Sequence, residues 1–413
     1  MQDEKALDKI LERFYNRYNK YNTKVLETLG NAVKEFDGIK PSDAHRIAQK
    51  LKYGTDIDVL VNELSEITKK SNEEIYELLD KVAKDNIDFA KTYEEAKSKR
   101  LINYESNEQL QGIVEAIAKE TTKNMANITN TRAIGFTLDK DGKTIFKPLK
   151  RAYNDLIDEA VYNVSTGTQN YQSAMTNVIK QLANSGVRVN ENKIQYKSGY
   201  TRRIDTAVRQ NVLDGVKQTN IKIQEQVGKK LGSDGVEISA HGLCAEDHLD
   251  IQGRQFSNEE FEKIQDTLAR PIGTYNCRHF IFSIILGVNE PSYPESLLEE
   301  YRRQSTKTIN YDGKEYTKYE ATQVQRKMET QIRKEKDKQI IAKASGNKDL
   351  ISESQRNITS YTNKYMDFSK KAGLDVYKER LKVSGYKRVN VNNYIYSDKE
   401  KDGVYTIYWE EKK

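Results

Sequence analysis

Only five prolines interrupt this 413-residue chain. Proline removes a backbone donor and clashes with the preceding helical turn, so a chain that nearly dispenses with it is free to run in long helices. The side chains agree. Hydrophobic residues make up 36% and charged residues 31%, enough for one buried stripe per helix under a wide wet face. The length suits two or three domains, or one elongated helical body with insertions. The expected fold is mainly α, with elongated helical arms around a small central α+β core and a short C-terminal β-hairpin.

Five stretches are expected along the chain. Residues 1–100 read as an N-terminal helical region, with Ile10, Phe14, Tyr18 and Tyr21 at helical spacing. Pro41-Ser42-Asp43 suits a helix start, and Ser71-Asn72-Glu73-Glu74 an N-cap followed by acids in the first turn. Residues 101–234 form a middle helical region, with helix over 103–130. Asp141-Gly142 marks a hairpin there. Helix resumes from about 150 to 184, and an extended piece follows over 187–196. A further helix is expected over about 200–227, with Gly228 as its stop. Arg202, Arg203, Arg209 and Lys217 sit largely off its apolar stripe, and the arginines read as a solvated face ahead of a phosphate- or partner-binding role.

The period changes in residues 235–290. Val236–Ser239 alternates as a strand. Gln252–Phe256 turns into another, Ser257 caps a helix to about 269, and Phe280–Leu286 reads as the best buried strand. Pro291 and Pro294 mark the exit. A long charged helix dominates residues 291–345, spanning about 316–342 with Val324, Met328 and Ile332 along one side. Residues 346–413 hold a helix over about 352–384, interrupted at Gly373-Leu374, and a terminal hairpin.

The α+β stretch also holds most of the good metal ligands. Three of the four histidines, His241, His248 and His279, lie in it with both cysteines, Cys244 and Cys277. His45 is the exception. A tetrahedral zinc site needs four such groups as two close pairs, here His241 or Cys244 with His248, and Cys277 with His279. The spacing fits no standard zinc-finger template. A hydrogen-bonded core cluster and a catalytic Cys–His pair are the competing readings.

Other classes are excluded or weakened. No run of about eighteen apolar residues is present, so no transmembrane helix and no membrane partner are expected. The N-terminus lacks the pattern of a secretory signal, and the cysteines are expected to be reduced. A net charge of +6 with interspersed signs is weaker than the bias of a dedicated DNA-binding domain. No Walker loop, GxGxxG, GxSxG or HExxH occurs, so no enzymatic activity is expected. A metal-dependent nuclease built on His248, Asn276 and His279 is the least favoured alternative.

Several stretches, in order, resemble a known family. Tyr196–Gln210 resembles its passage from a Tyr-x-Ser-Gly turn into an Ala-Val-Arg helix, and Gly215–Gln218 continues it. Val236–His241, His248, Gln252-Gly253 and Phe256-Ser257 resemble its core signature. Asn276-Cys277-Arg278-His279, an apolar strand and Gly287 resemble the second half. Tyr316–Arg326 with Glu329, Ile332, Arg333 and Lys336 resembles its long helix. Tyr365–Phe368, Gly373-Leu374 and Glu379-Arg380 resemble its closing segment. The family is that of the minor capsid proteins of tailed bacteriophages called phage minor capsid protein 2, related to head-morphogenesis proteins typified by the F protein of phage Mu. Many members carry Arg-Pro between the signature histidines, where this chain has Ala245-Glu246.

The resemblance implies a virion protein, inside the capsid near the portal once assembled and in the host cytoplasm during assembly. It would act in procapsid assembly and in genome packaging or delivery. Portal protein and major capsid or scaffolding protein are its implied partners. A DNA-binding protein ejected with the genome is the alternative, with Arg202, Arg203, Arg209, Arg326, Lys327, Arg333 and Lys334 as contacts to non-specific double-stranded DNA or to a partner. Mu-like relatives carry cysteine pairs where this chain has Cys244/His248 and Cys277/His279. That implies a shared four-ligand zinc cluster in which His stands in for Cys, with His241 or Cys244 completing the set.

Overall fold

The structure is a computed structural model. It describes residues 4–34, 57–90, 103–130, 132–140, 143–190, 201–274, 277–389, 394–401 and 404–411. His45, the Pro41 helix start, the Tyr196–Tyr200 turn and Asn276 lie outside the described residues.

The described residues are mainly α-helical. In chain order the helices are α1 (Glu4–Lys34), α2 (Ile57–Ala90), α3 (Glu108–Ile128), α4 (Leu149–Ser165), α5 (Tyr171–Ser185), α6 (Ile204–Leu231), α7 (Asn258–Thr267), α8 (Glu295–Thr306), α9 (Lys318–Ala344) and α10 (Lys348–Ala372). The strands are β1 (Ile134–Lys140), β2 (Lys143–Pro148), β3 (Arg188–Asn190), β4 (Thr201–Arg203), β5 (Gly235–Ile238), β6 (Gln255–Ser257), β7 (Ile281–Ile284), β8 (Thr308–Tyr311), β9 (Lys314–Thr317), β10 (Tyr394–Lys401) and β11 (Val404–Glu411).

Contacts divide the chain into two compact units, each built from sequence-distant pieces. One takes residues 1–17, 63–130 and 205–323; the other takes 18–62, 131–204 and 324–413.

In the first unit an antiparallel sheet of order β6-β5-β7 forms the α+β core. Val236 pairs with Phe256 on one side and with Ser283 on the other. Helix α6 lies on this sheet, because Gln224 carries two bonds to it. Its Oε1 accepts from the Ser283 N–H at 3.2 Å and its carbonyl from the Ser283 hydroxyl at 2.6 Å. Gly228 lets the helix come this close, since a Cβ there would meet Ser283 Oγ at 2.6 Å. Ile238, Ile272 and Ile281 form the buried centre, with Ile221, Phe256, Phe261 and Cys277 against it. A capping box on Ser257 and Glu260 starts α7 as its spacing foretold.

In the second unit the sheet order is β2-β1-β3-β4, with the expected hairpin between β1 and β2. Helix α1 contributes Tyr18, Tyr21, Val25, Leu26 and Leu29 to this core. A Cβ on Gly30 would lie 2.7 Å from the Ala344 Cβ, so glycine sets the approach of α1 to the end of α9. The terminal hairpin pairs β10 with β11 antiparallel.

Several local readings need correction. Ser71 does not cap a helix, because α2 runs through it. Its hydroxyl donates to the Ile67 carbonyl one turn back, at 2.8 Å, which spends the group a cap would use. The run over 150–184 is two helices. Gly167 takes φ +70, and the Asn170 side chain starts α5 by accepting from the Ser173 N–H at 2.8 Å. Arg202 and Arg203 belong to strand β4, ahead of α6. Gly228 does not stop α6, which ends at Leu231 before Gly232, φ +75. The hairpin β8–β9 was not anticipated. Asp312 and Gly313 both have positive φ, 50° and 76°, as a two-residue type I′ turn requires.

Candidate metal centre

Three side chains of the first unit converge in the α+β core. Cys277 Sγ lies 3.4 Å from His279 Nδ1 and 3.9 Å from His248 Nδ1. The three ligand atoms lie within 4.8 Å of one another. Both histidines are closed off from solvent, His248 at 3% and His279 at 1% exposure.

Each ligand comes from a different local device. His248 ends a single 3-10 turn, Glu246–His248. The loop beyond that turn returns to the sheet, where the Gly253 N–H donates to the Ile238 carbonyl at 2.8 Å. Gly253 adopts φ +69, and a Cβ there would stand 2.3 Å from Leu298 Cδ2, so this return needs glycine. Cys277 follows the turn at Pro271–Thr274, its N–H donating to the Thr274 carbonyl at 2.8 Å. His279 stands just ahead of β7, and Lys217 of α6 holds that backbone by donating to the Arg278 carbonyl at 2.9 Å and the His279 carbonyl at 3.2 Å.

Hydrogen bonds fix both ring tautomers. His248 Nε2 is 2.7 Å from the Arg270 carbonyl, which only accepts, so Nε2 donates. His279 Nε2 is 3.2 Å from Gln252 Oε1. That oxygen also accepts the His241 backbone N–H at 3.1 Å, so it is the amide oxygen and His279 Nε2 donates as well. Both Nδ1 atoms therefore face the sulfur.

Charge follows burial. Burial, with the neighbouring His241, His248 and Lys217, pushes His279 down to about 2, so the ring is neutral. Burial works to raise the Cys277 thiol, but His248 and backbone bonds at Gly273 and His279 outweigh it and bring it below its ordinary value. Burial works to lower His248, and the bonds to Cys277 and the Arg270 carbonyl raise it overall. Cys244 is pushed up to about 12 by burial and then by the charges of Asp247 and Cys277.

His248, Cys277 and His279 are thus brought together as the sequence suggested. His241 and Cys244 lie beside them without joining the converging atoms. The His241 ring packs on His279 at 4.4 Å between centroids, with Nδ1 3.0 Å from the Gly242 carbonyl. Cys244 Sγ donates to the Ala245 carbonyl at 3.5 Å. Sequence reasoning missed Gln252 and the Arg270 carbonyl as the groups that orient the rings, and it placed Lys217 only as a residue off the apolar stripe. Lys217 is 2% exposed, with Nζ 3.1 Å from the centre of the Phe280 ring. Its position off the apolar stripe gave no sign of the strand carbonyls it would meet.

The basic residues scatter. Arg203 is buried against Asp337, which removes it from any phosphate. Arg209 is half-buried and donates to Asp8 at 3.2 Å. Arg333 is half-buried and donates to the Arg380 carbonyl at 3.4 Å. Arg202 and Lys334 are also half-buried, while Arg326 and Lys327 are exposed on α9.

A mainly helical chain with a buried His/Cys knot in a small α+β core is the setting in which the comparisons fall. The profile of the family described as Phage minor capsid protein 2 matches residues 2–370, and the chain belongs to this family. It is also similar to a protein named "Structural protein" from Lactococcus phage LL-H, at 24% identity over 358 residues, covering 80% of this chain and 89% of the relative. No solved structure matches the chain significantly. Among the described residues no helix is long and apolar enough to cross a membrane.

Proposed function

We propose that this chain is a structural component of the phage head. It sits inside the capsid near the portal and acts in procapsid assembly and in genome packaging or delivery. The observation that carries the reading is the family match over residues 2–370. The portal protein and the major capsid or scaffolding protein are the partners this reading requires. The burial of His248 and His279 favours a structural role for the cluster over a catalytic one, since a substrate needs access to the groups that act on it. Co-expression with portal and scaffold, followed by pulldown, tests the assignment. Co-purification with portal is expected, and consistent failure to co-assemble with either would overturn it.

Exposed Arg326 and Lys327 on α9 favour a second role in contact with double-stranded DNA. Binding through about six phosphates should weaken about a thousandfold between roughly 50 and 200 mM salt. Absence of any gel shift at low salt would remove this role and leave the first intact.

A further inference from the structure

We propose that His248 Nδ1, Cys277 Sγ and His279 Nδ1 form a binding site for one zinc-class divalent cation. The argument begins with protons. Both Nε2 atoms are committed as donors, to the Arg270 carbonyl and to Gln252 Oε1. Both Nδ1 atoms therefore turn toward the same sulfur, with at most one proton to share among the three atoms. A thiol carries a single proton, so it can satisfy only one of the two nitrogens. A buried lone pair facing a sulfur has no partner in that arrangement, and a cation among the three atoms supplies one for all of them.

The distances suit the cation. Bonds of about 2.3 Å to sulfur and 2.0–2.1 Å to nitrogen give a tetrahedral edge of about 3.5 Å. The Cys277–His279 separation of 3.4 Å meets that edge, and the Cys277–His248 separation of 3.9 Å needs only a small closure. Thiolate with imidazole selects zinc-like ions over magnesium or calcium, which take oxygen ligands. The outer bonds are those a metal-bound histidine makes, its second nitrogen donating to a carbonyl or amide oxygen. Cys244 or a water fills the fourth corner. The bound ion would tie the Glu246–His248 turn to the segment entering β7.

The test uses the untagged full-length chain, Zn(II) and Co(II). Elemental analysis is expected to find about one zinc per chain, falling below about a tenth in Cys277→Ser. Cobalt loading of the wild-type chain should produce a thiolate-to-metal charge-transfer absorption, and this reading does not depend on any variant folding. Retention of metal in Cys244→Ser assigns the fourth corner to water, and its loss assigns it to Cys244; both outcomes support the site. Two results would overturn it. One is a wild-type chain that takes up neither ion, its Cys277 thiol equally reactive with and without zinc, as a simple thiolate–imidazolium pair would behave. The other is cobalt binding without the sulfur absorption.

Discussion

Arg203 donates to Asp337 at 2.5 Å, joining strand β4 to helix α9 across 134 residues of sequence. Arg203 is 6% exposed and Asp337 is fully buried. Asp337 also accepts from Asn22 Nδ2 at 3.2 Å, and Asn22 Oδ1 accepts the Val187 N–H at 2.8 Å. One buried carboxylate thus links three sequence-distant segments of the second unit.

Replacing Asp337 by Leu should leave the Arg203 guanidinium buried without its carboxylate and cost about 3–5 kcal/mol. The double variant Arg203→Met, Asp337→Leu leaves no orphaned charge and should lose less than either single change. Urea unfolding of the four proteins, analysed as a mutant cycle, checks this. Equal losses for the double and single variants would contradict it.

Glu329 carries a pH dependence away from the cysteine cluster. Burial raises its carboxyl above the ordinary 4.5, despite Arg380 and Arg333 nearby. Its folded value exceeds its unfolded one, so its contribution is fully present below 4.5 and is lost as pH rises through the raised value. Glu329→Gln removes that loss and keeps an acceptor for the Tyr365 hydroxyl, now at 3.3 Å. The Gln variant should gain stability relative to wild type between pH 5 and pH 8. Parallel urea midpoints at the two pH values would refute this if the difference stayed constant.

Gly253→Ala tests the loop that brings His248 to the cluster. Its φ of +69 and the 2.3 Å approach of Leu298 to a new Cβ combine backbone strain with overpacking. The expected cost is about 2–4 kcal/mol. Pairing it with Leu298→Ala should relieve the overpacking part and leave the strain, as thermal midpoints would show.

Gln252→Leu should strand two donors, the His241 backbone N–H and His279 Nε2. A loss of about 1–3 kcal/mol for each is expected. NMR of the ring nitrogens offers a sharper reading, because His279 would lose the partner that fixes its tautomer. An unchanged tautomer with unchanged stability would show that Gln252 orients nothing.

Much of the fold was legible because the signals are local. Apolar spacing sufficed for α1 and α9, alternation for β5, and the Ser257–Glu260 box for the start of α7. Errors came where one residue type serves two ends. Ser71 bonds backward to Ile67 within α2 instead of capping forward, and Gly228 admits Ser283 to α6 instead of ending it. The first choice follows from the helix continuing through Ser71, and the second from a strand residue remote in sequence.

The cluster divides the same way. Sequence alone placed His248, Cys277 and His279 in one candidate cluster with His241 and Cys244, because a chain with four histidines and two cysteines put most of them in one short α+β stretch. Tertiary structure decided which atoms face one another. The Arg270 carbonyl and Gln252 Oε1 take the Nε2 protons and turn both Nδ1 atoms to the sulfur, and Lys217 grips the strand from α6. Those partners lie 22, 27 and 61 residues from the groups they hold. Hydrogen-bond direction is set by groups that meet only when the chain is folded, and no spacing rule encodes it.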